Sequence, residues 1–516
     1  MNATTGAGKR EWVGLAVLAL PTLLVSIDVF VLLLALPRLS TDLGAGSTAQ
    51  LWIMDVYGFL IAGFLITMGS LGDRIGRRRL LLIGAAGFGA ASVLAAYSTS
   101  AGMLIVARAL LGIAGATLAP STLGLISNMF TVPRQRAVAI SVWMACFMSG
   151  AALGPLVAGV LLDHFWWGSV FLLGVPAMVL LLVLGPFLLP EYRDAGAGRI
   201  DLPSVGLSLA AILPLVYGLK ELARSGWQPI PIAAVVAGAA FGWVFVRRQH
   251  RLADPLLDLR LFAHRAFSAA LGSIMFGTML MGAIMMFIAE YFQLVRGLSP
   301  LQAGLCMLPG VGGSMVSFLA SPHLARRVRP AYLIGGGMVV SVCGLLLIAS
   351  ADPVSGLAAV VIGFGVTNFG AGPMVTLGTD LVVGSAPVEK AGSAGAMNQT
   401  SGEFGFALGI AALGSLGTVV YRGKVSVPAG VPAGAARDSL AGAVTVAGRL
   451  PSSVGTQLLD SARVAFVSGM HVAATVSAVL LIVVAAVVAT LLRNVRPSGE
   501  PVEPDTADEP RVEALR

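Results

Sequence analysis

Charge is scarce in this chain: Asp, Glu, Lys and Arg together supply 11% of its 516 residues, against 57% hydrophobic. A water-soluble fold of this length cannot keep so much apolar surface from solvent, and a mean hydropathy of +0.88 points to a polytopic membrane protein. Cysteine occurs three times, at Cys146, Cys306 and Cys343, always inside an apolar run and never in a CxxC pair. A disulfide framework and a thiolate metal centre are therefore not expected, and all three read as small buried hydrophobes. The histidines show no metal-ligand spacing, so no metal site is expected, and no GxxxxGK[ST] run supports ATP-driven pumping. Net charge is +8, yet the arginines collect in short loops and leave no continuous basic face for nucleic acid. A signal peptide is missing as well. The first apolar run is too long, contains Asp28 and leads to no cleavage site, so it reads as a retained first span.

What is present is a succession of apolar runs. About fourteen of them reach the roughly 20 residues that a spanning helix needs. They lie near 12–36, 49–70, 80–98, 103–128, 138–162, 168–189, 204–222, 230–246, 267–293, 301–321, 332–350, 356–383, 392–420 and 464–492. Most Lys and Arg fall in the loops that share a side with the N-terminus, which places both termini in the cytoplasm of a bacterial inner membrane. The expected fold is an all-α integral membrane protein. Residues 1–190 form one six-helix bundle, 191–265 two extra helices with linkers, and 266–492 a second bundle with a long outer loop at 422–463. The charged, Pro-rich tail 493–516 reads as disordered. His164, Trp166 and Trp167 read as an interface belt, and Glu290-Tyr291 as an interfacial pair.

Between the second and third runs stands Gly69-Ser70-Leu71-Gly72-Asp73-Arg74-Ile75-Gly76-Arg77-Arg78-Arg79. It reads as a charged loop that forces two helices into a tight hairpin, its glycines allowing close approach. The order of its residues resembles the signature between the second and third spans of the major facilitator superfamily. Arg108-Ala-Leu-Leu-Gly112-Ile-Ala-Gly115 resembles that superfamily's buried-arginine motif. Gly150-Ala-Ala-Leu-Gly154-Pro155-Leu-Val-Ala-Gly159 resembles the antiporter motif of its drug exporters. Asp28 with Ala35-Leu36-Pro37 is similar to the fourteen-span drug:proton antiporter family. Gln50-Leu-Trp-Ile-Met-Asp55-Val-Tyr57, Asp254-Pro-Leu-Leu-Asp-Leu-Arg-Leu-Phe262 and Leu298-Ser-Pro-Leu-Gln-Ala-Gly304 look like its QacA/SmvA-like branch of multidrug exporters. The resemblance implies a major facilitator fold, proton-coupled efflux of lipophilic cations, protons as the coupling ion and no cofactor. It also implies that Gly69, Gly72, Asp73, Arg74, Gly76 and Arg77 latch the cytoplasmic gate in the outward-facing state. The chain departs from the branch at Ser314, where an acid can stand, at Asn398-Gln399, and at Gly174, where Asn commonly precedes Val-Pro.

An ionised side chain inside a span costs about 2.5–3.5 kcal/mol on insertion scales, so each needs a reason. Asp28, Asp55 and Glu403 are the candidate proton-coupling and cation-binding acids. Gln399 and Thr400 precede Glu403 by a helical turn and share its face. Gln399, Asn398, Met275 and Met279 are candidate cavity residues; Met281, Met285 and Met286 extend the same deformable surface, although packing also explains the methionines. Arg108 reads as a tuning or relay charge, since it would repel a cationic drug. Asp380, near an inner helix end, reads as solvated or paired. A carboxylate in a cavity has a raised pKa that a neighbouring cation lowers again, so proton and drug compete for one site. The chain is thus expected to be a transporter rather than an enzyme, monomeric, and in contact with lipid, protons and lipophilic substrates. A dedicated exporter of one antibiotic or metabolite is the nearest alternative, and a non-transporting membrane sensor or scaffold a further one.

Overall fold

The fold, seen in a computed structural model, is described over residues 7–493 apart from 46, 194–200, 226, 253–254, 353–355, 388–389 and 430. The tail expected beyond 493, Asp254, and the side chains of Leu36, Pro37, Gln50, Leu51, Pro155 and Gly159 lie outside the described residues. Every long element among those described is helical, as lipid requires: without water, a spanning segment must satisfy its backbone N–H and C=O groups internally. In chain order come α1 (Lys9–Asp42), α2 (Ser47–Ile75), α3 (Arg77–Ala96), α4 (Ala101–Met129), α5 (Pro133–His164), α6 (Ser169–Leu172) and α7 (Gly174–Leu188). Next are α8 (Leu202–Ser225), α9 (Pro229–Gln249), α10 (Arg265–Glu290), α11 (Pro300–Leu324), α12 (Pro330–Ala349), α13 (Leu357–Gly384) and α14 (Ala391–Lys424). The last are α15 (Ala433–Asp438), α16 (Leu440–Ala447) and α17 (Ser452–Leu491). Among the described residues, 13 stretches are long and apolar enough to cross a membrane. α5, with 32 residues, has the length too. The chain is a multi-pass membrane protein.

Helix starts carry their usual chemistry. Proline occupies the first turn of α5, α9, α11 and α12, where no amide hydrogen is needed. The Ser100 side chain accepts from the Met103 amide at the start of α4, and Ser299 with Gln302 forms a reciprocal capping box on α11. One hydrophobic cluster is built almost wholly from α1–α7 and a second from α10–α17. The two bundles meet through α2 and α4 against α14, and α5 against α11 and α13.

The extra hairpin α8–α9 lies across this junction, with α8 against both α2 and α14. Ile212 and Val216 pack with Ala62 on one side and Phe404 on the other. Its base is tied down by polar contacts. Arg248 grips Asp201 through Nε at 2.8 Å and Nη2 at 2.9 Å, and Ser204 donates to the same carboxylate at 2.6 Å. Hydrogen bonds from Arg248 and Ser204 hold the Asp201 carboxyl down to about 2. Buried Gln249 donates to Ser204 and accepts from the amide of Leu256 at 2.7 Å. Two residues further on, Asp258 receives Lys390 Nζ at 2.7 Å, at the foot of α14.

Several expectations are corrected. The glycine–arginine run is not a loop: α2 continues through Ile75, and only Gly76, at φ 109°, separates it from α3. A backbone in that region is open to glycine and strained for other residues. The segment 422–463 holds two short helices, and α17 begins at Ser452. Tyr291 is fully buried within the protein, in a π-helical turn over Tyr291–Val295 that packs against α16 and α17. Trp167 is buried edge-on to Phe171, whereas His164 and Trp166 are exposed. Cys343 is exposed on the outer surface, and Cys146 and Cys306 are only partly buried. In lipid, an apolar side chain gains little from facing inward, so hydropathy alone does not say which way a residue points.

Candidate functional site

The central site is assembled from four helices. Arg108 of α4 is 1% exposed and directs Nη1 at Asp28 Oδ2 of α1, 2.6 Å away. Its Nε donates to the Ile53 carbonyl of α2 at 3.3 Å. The guanidinium carbon lies 4.3 Å from the centroid of the Tyr57 ring, also on α2. Asp28 is therefore not an isolated carboxylate but half of a buried ion pair. Removing either partner would leave an uncompensated charge at a cost of about 3–5 kcal/mol. Glu403 of α14 stands on the other bundle, and its charge acts on the Tyr57 hydroxyl together with those of Asp28 and Arg108. Glu403 is exposed, and its influence at Tyr57 is weaker than that of Asp28 or Arg108.

Other candidates separate from this cluster. Asp55 is two residues from Tyr57, about 200° around α2, and leaves the helix on another face. Asn398 is five residues from Glu403 and turns inward, where its amide bonds with Thr379 Oγ1 of α13 at 3.2 Å. It is a packing residue here, not a cavity residue. Gln399, one helical turn before Glu403, is partly buried. Met279 packs against the core of the second bundle. The carbonyls of Met275 and Met279 lie where any side chain at Gly405 or Gly409 would have to go, so this stretch of α10 is the contact with α14. Ser314 is buried and donates to Asn368 Oδ1 at 3.3 Å. Gly150 performs the close-packing role of its motif: a Cβ there would meet the Leu23 carbonyl of α1, and Gly154 is buried on the same face of α5.

A second site closes the end of the molecule that carries the glycine–arginine run. Asp73 Oδ1 accepts from Arg77 Nε and Nη2, each at 2.8 Å. Its Oδ2 accepts from the Ser393 amide at 3.0 Å and the Ser393 hydroxyl at 2.8 Å, in the first turn of α14. A carboxylate at a helix N-terminus satisfies amides that lack intrahelical partners and complements the helix dipole. Arg77 is fully buried and also donates to the Gly124 carbonyl at 2.8 Å, so the latch is anchored in α4. Gly69 lets α2 approach α14: a Cβ would lie 2.9 Å from the Gly392 carbonyl oxygen. Gly72 faces Leu80 and Ser121 within its own bundle. Gly76 leaves space for Glu191, which also accepts from the Arg78 amide at 3.2 Å. Arg74 is partly buried at the foot of α2.

Asp380 supplies a second contact between bundles. Arg136 Nε of α5 reaches its Oδ1 on α13 at 2.7 Å, and both side chains are mostly buried. Asp380→Arg, which sets two cations face to face, is expected to slow transport several-fold. Adding Arg136→Glu should restore most of the loss, as read by substrate flux in vesicles. A double variant no better than the single would deny the pair a role in closure.

Asp28, Arg108 and Glu403 carried sequence signals, being charges within spans, but Tyr57 as part of the site carried none beyond its place in a motif. Ser393 likewise looks like any small residue of a glycine-rich helix.

Comparison with known proteins agrees with this architecture. The family model described as Major Facilitator Superfamily matches residues 18–410. The chain is 46% identical to the multidrug efflux pump LfrA of Mycolicibacterium smegmatis, over 95% of this chain and 98% of that protein. It is 36% identical to the methyl viologen resistance protein SmvA of Salmonella typhimurium, over 92% of this chain and 97% of that protein. Among solved structures, the human organic anion transporter MFSD10 is similar in fold, with a TM-score of 0.61 at 16% identity over 93% of this chain and 99% of that one. With the family model matching most of the chain and a relative 46% identical over 95% of it, the chain belongs to the Major Facilitator Superfamily.

Proposed function

We propose that this transporter exports lipophilic cationic drugs across a bacterial cytoplasmic membrane in exchange for protons. The chain is a membrane transporter rather than an enzyme. The observation that carries the cation and proton reading is the ion pair between Asp28 and Arg108, held between helices beneath the Tyr57 ring. A carboxylate there can be compensated by a side chain, a proton or a bound cation, and each excludes the others. On this reading the latch lies on the cytoplasmic side, and its closed form is the outward-facing state. Protonation from outside releases the drug, rocking of the bundles exposes the acids inward, and loss of the proton there readies them for the next cation. Each charge moved inward down the membrane potential contributes about 2.3 kcal/mol per 100 mV.

The test is a vesicle assay that follows internal pH while ethidium, quaternary ammonium compounds and neutral antibiotics are added in turn. Proton movement driven by several unrelated cations is the expected result. Movement with one neutral antibiotic alone would indicate a dedicated exporter. No pH response to any compound would leave only a sensor or scaffold.

A further inference from the structure

Recognition of a lipophilic cation needs two elements: a negative charge to offset its own, and a polarisable face to hold its apolar body. The central site contains both, and one side chain occupies both. Arg108 is 2.6 Å from the Asp28 carboxylate and 4.3 Å from the centre of the Tyr57 ring. Tyr57 itself is an unusual choice for this place. It is 3% exposed, and its buried hydroxyl has no hydrogen-bond partner. An orphaned buried hydroxyl costs about 1–3 kcal/mol, and phenylalanine would fill the same volume without that cost. A partner for the hydroxyl must come from another arrangement of the site. The helices also hold the ring in place. A Cβ at Gly112 would meet the Tyr57 carbonyl at 2.6 Å, so α4 and α2 touch here, and one at Gly115 would lie 3.5 Å from the phenolic oxygen.

We infer that the Tyr57 ring is a cation-recognition face used in turn by Arg108 and by the transported cation, with Arg108 a tethered occupant that the substrate displaces. The inference rests on the cation-export reading above and extends it to the substrate's chemistry. The ring and a carboxylate make no directional demand on their guest, which fits a quaternary or delocalised aromatic cation rather than a primary amine. Exchange of one cation for another keeps Asp28 compensated throughout, so the buried carboxylate is never left bare. The charged groups that act on Tyr57 are Asp28 from α1, Arg108 from α4 and, most weakly, Glu403 from α14, whereas Asp55 leaves α2 on another face. Glu403 is the charged group that comes from the other bundle, and rocking changes its distance from the Tyr57 hydroxyl. In the loaded arrangement the hydroxyl gains Glu403 or a water as its partner.

The experiment measures equilibrium binding of tetraphenylphosphonium and of uncharged triphenylphosphine oxide to the full chain in lipid nanodiscs at a fixed alkaline pH. Tyr57→Leu is expected to lower the ratio of cation to neutral affinity about tenfold, and Tyr57→Phe, which keeps the ring, by threefold at most. Arg108→Gln is expected to tighten tetraphenylphosphonium binding, because the resident competitor is gone. Combining it with Tyr57→Leu should cancel that gain. An unchanged cation-to-neutral ratio in Tyr57→Leu would mean that the ring only packs. Weaker cation binding in Arg108→Gln would show that Arg108 supports the site and does not compete for it. Either result overturns the inference while leaving cation export standing. If the unaltered protein binds no tetraphenylphosphonium at all, the export reading itself fails.

Discussion

Asp28→Asn is expected to abolish cation-driven proton movement, with exchange in vesicles falling at least a hundredfold. Asparagine keeps the shape of the side chain and can still accept a hydrogen bond from Arg108, so the geometry is barely disturbed. What it lacks is the charge and the titration. Arg108, 1% exposed, would be left without its counter-charge, at a cost of about 3–5 kcal/mol. At 1.4 kcal/mol per tenfold, this corresponds to a loss on the order of a hundredfold or more in any step that requires the paired arrangement. Two readouts separate coupling from collapse. Thermal unfolding of Asp28→Asn should fall, and Asp28→Asn with Arg108→Gln should recover much of that stability, because no lone charge remains. Proton exchange should stay absent in both. If Asp28→Asn exchanges as well as the unaltered protein, the acid has no part in coupling, and Glu403 and Asp55 remain as the candidate acids.

Asp73→Asn is expected to open the latch. In the closed form the carboxylate receives four hydrogen bonds, two from Arg77 in its own bundle and two from Ser393 in the other. The pair to Ser393 is broken when the bundles part. Hydrogen bonds to a charged group contribute about 1.5–3 kcal/mol each, so neutralising the acceptor should move the equilibrium between the two states by tenfold or more toward the inward-facing form. Distances between spin labels near the ends of α2 and α14 measure that balance directly. Ser393→Ala removes the hydroxyl but keeps the amide, and should produce a smaller shift in the same direction. A distance distribution indifferent to Asp73→Asn would contradict the latch.

The spans were legible because a long apolar run in this chain can only be a membrane helix, whichever way its side chains turn. The individual charges of the site were legible for a related reason, since Asp28, Arg108 and Glu403 are too costly within spans to be incidental. Their arrangement was not. Asp28 and Arg108 are 80 residues apart, and Asp73 and Ser393 are 320 apart, with nothing local to mark either pair. Asn398 and Glu403 lie on the same helix, yet five residues of helical turn bury the first against Thr379 and leave the second exposed. The glycine–arginine run looked like a loop because charges and glycines usually mark one. α2 instead continues through it, because Arg77 neutralises the single acid, Ser393 donates hydrogen bonds to it and Gly76 alone provides the turn.

By itself, the sequence determined the class of the protein, where its long apolar runs lie, the orientation expected from its arginines, and which charges required an explanation. These follow from the bilayer, whose thickness and dryness act on every residue alike. Only the tertiary structure decided that Asp28 is held by Arg108, that Tyr57 lies beneath that arginine with an unpartnered hydroxyl, and that Asp73 clasps the opposite bundle at Ser393. The physical reason is that a buried charge accepts whichever partner the packing of distant helices delivers, and that packing is set by glycine contacts and side-chain shape rather than by hydropathy.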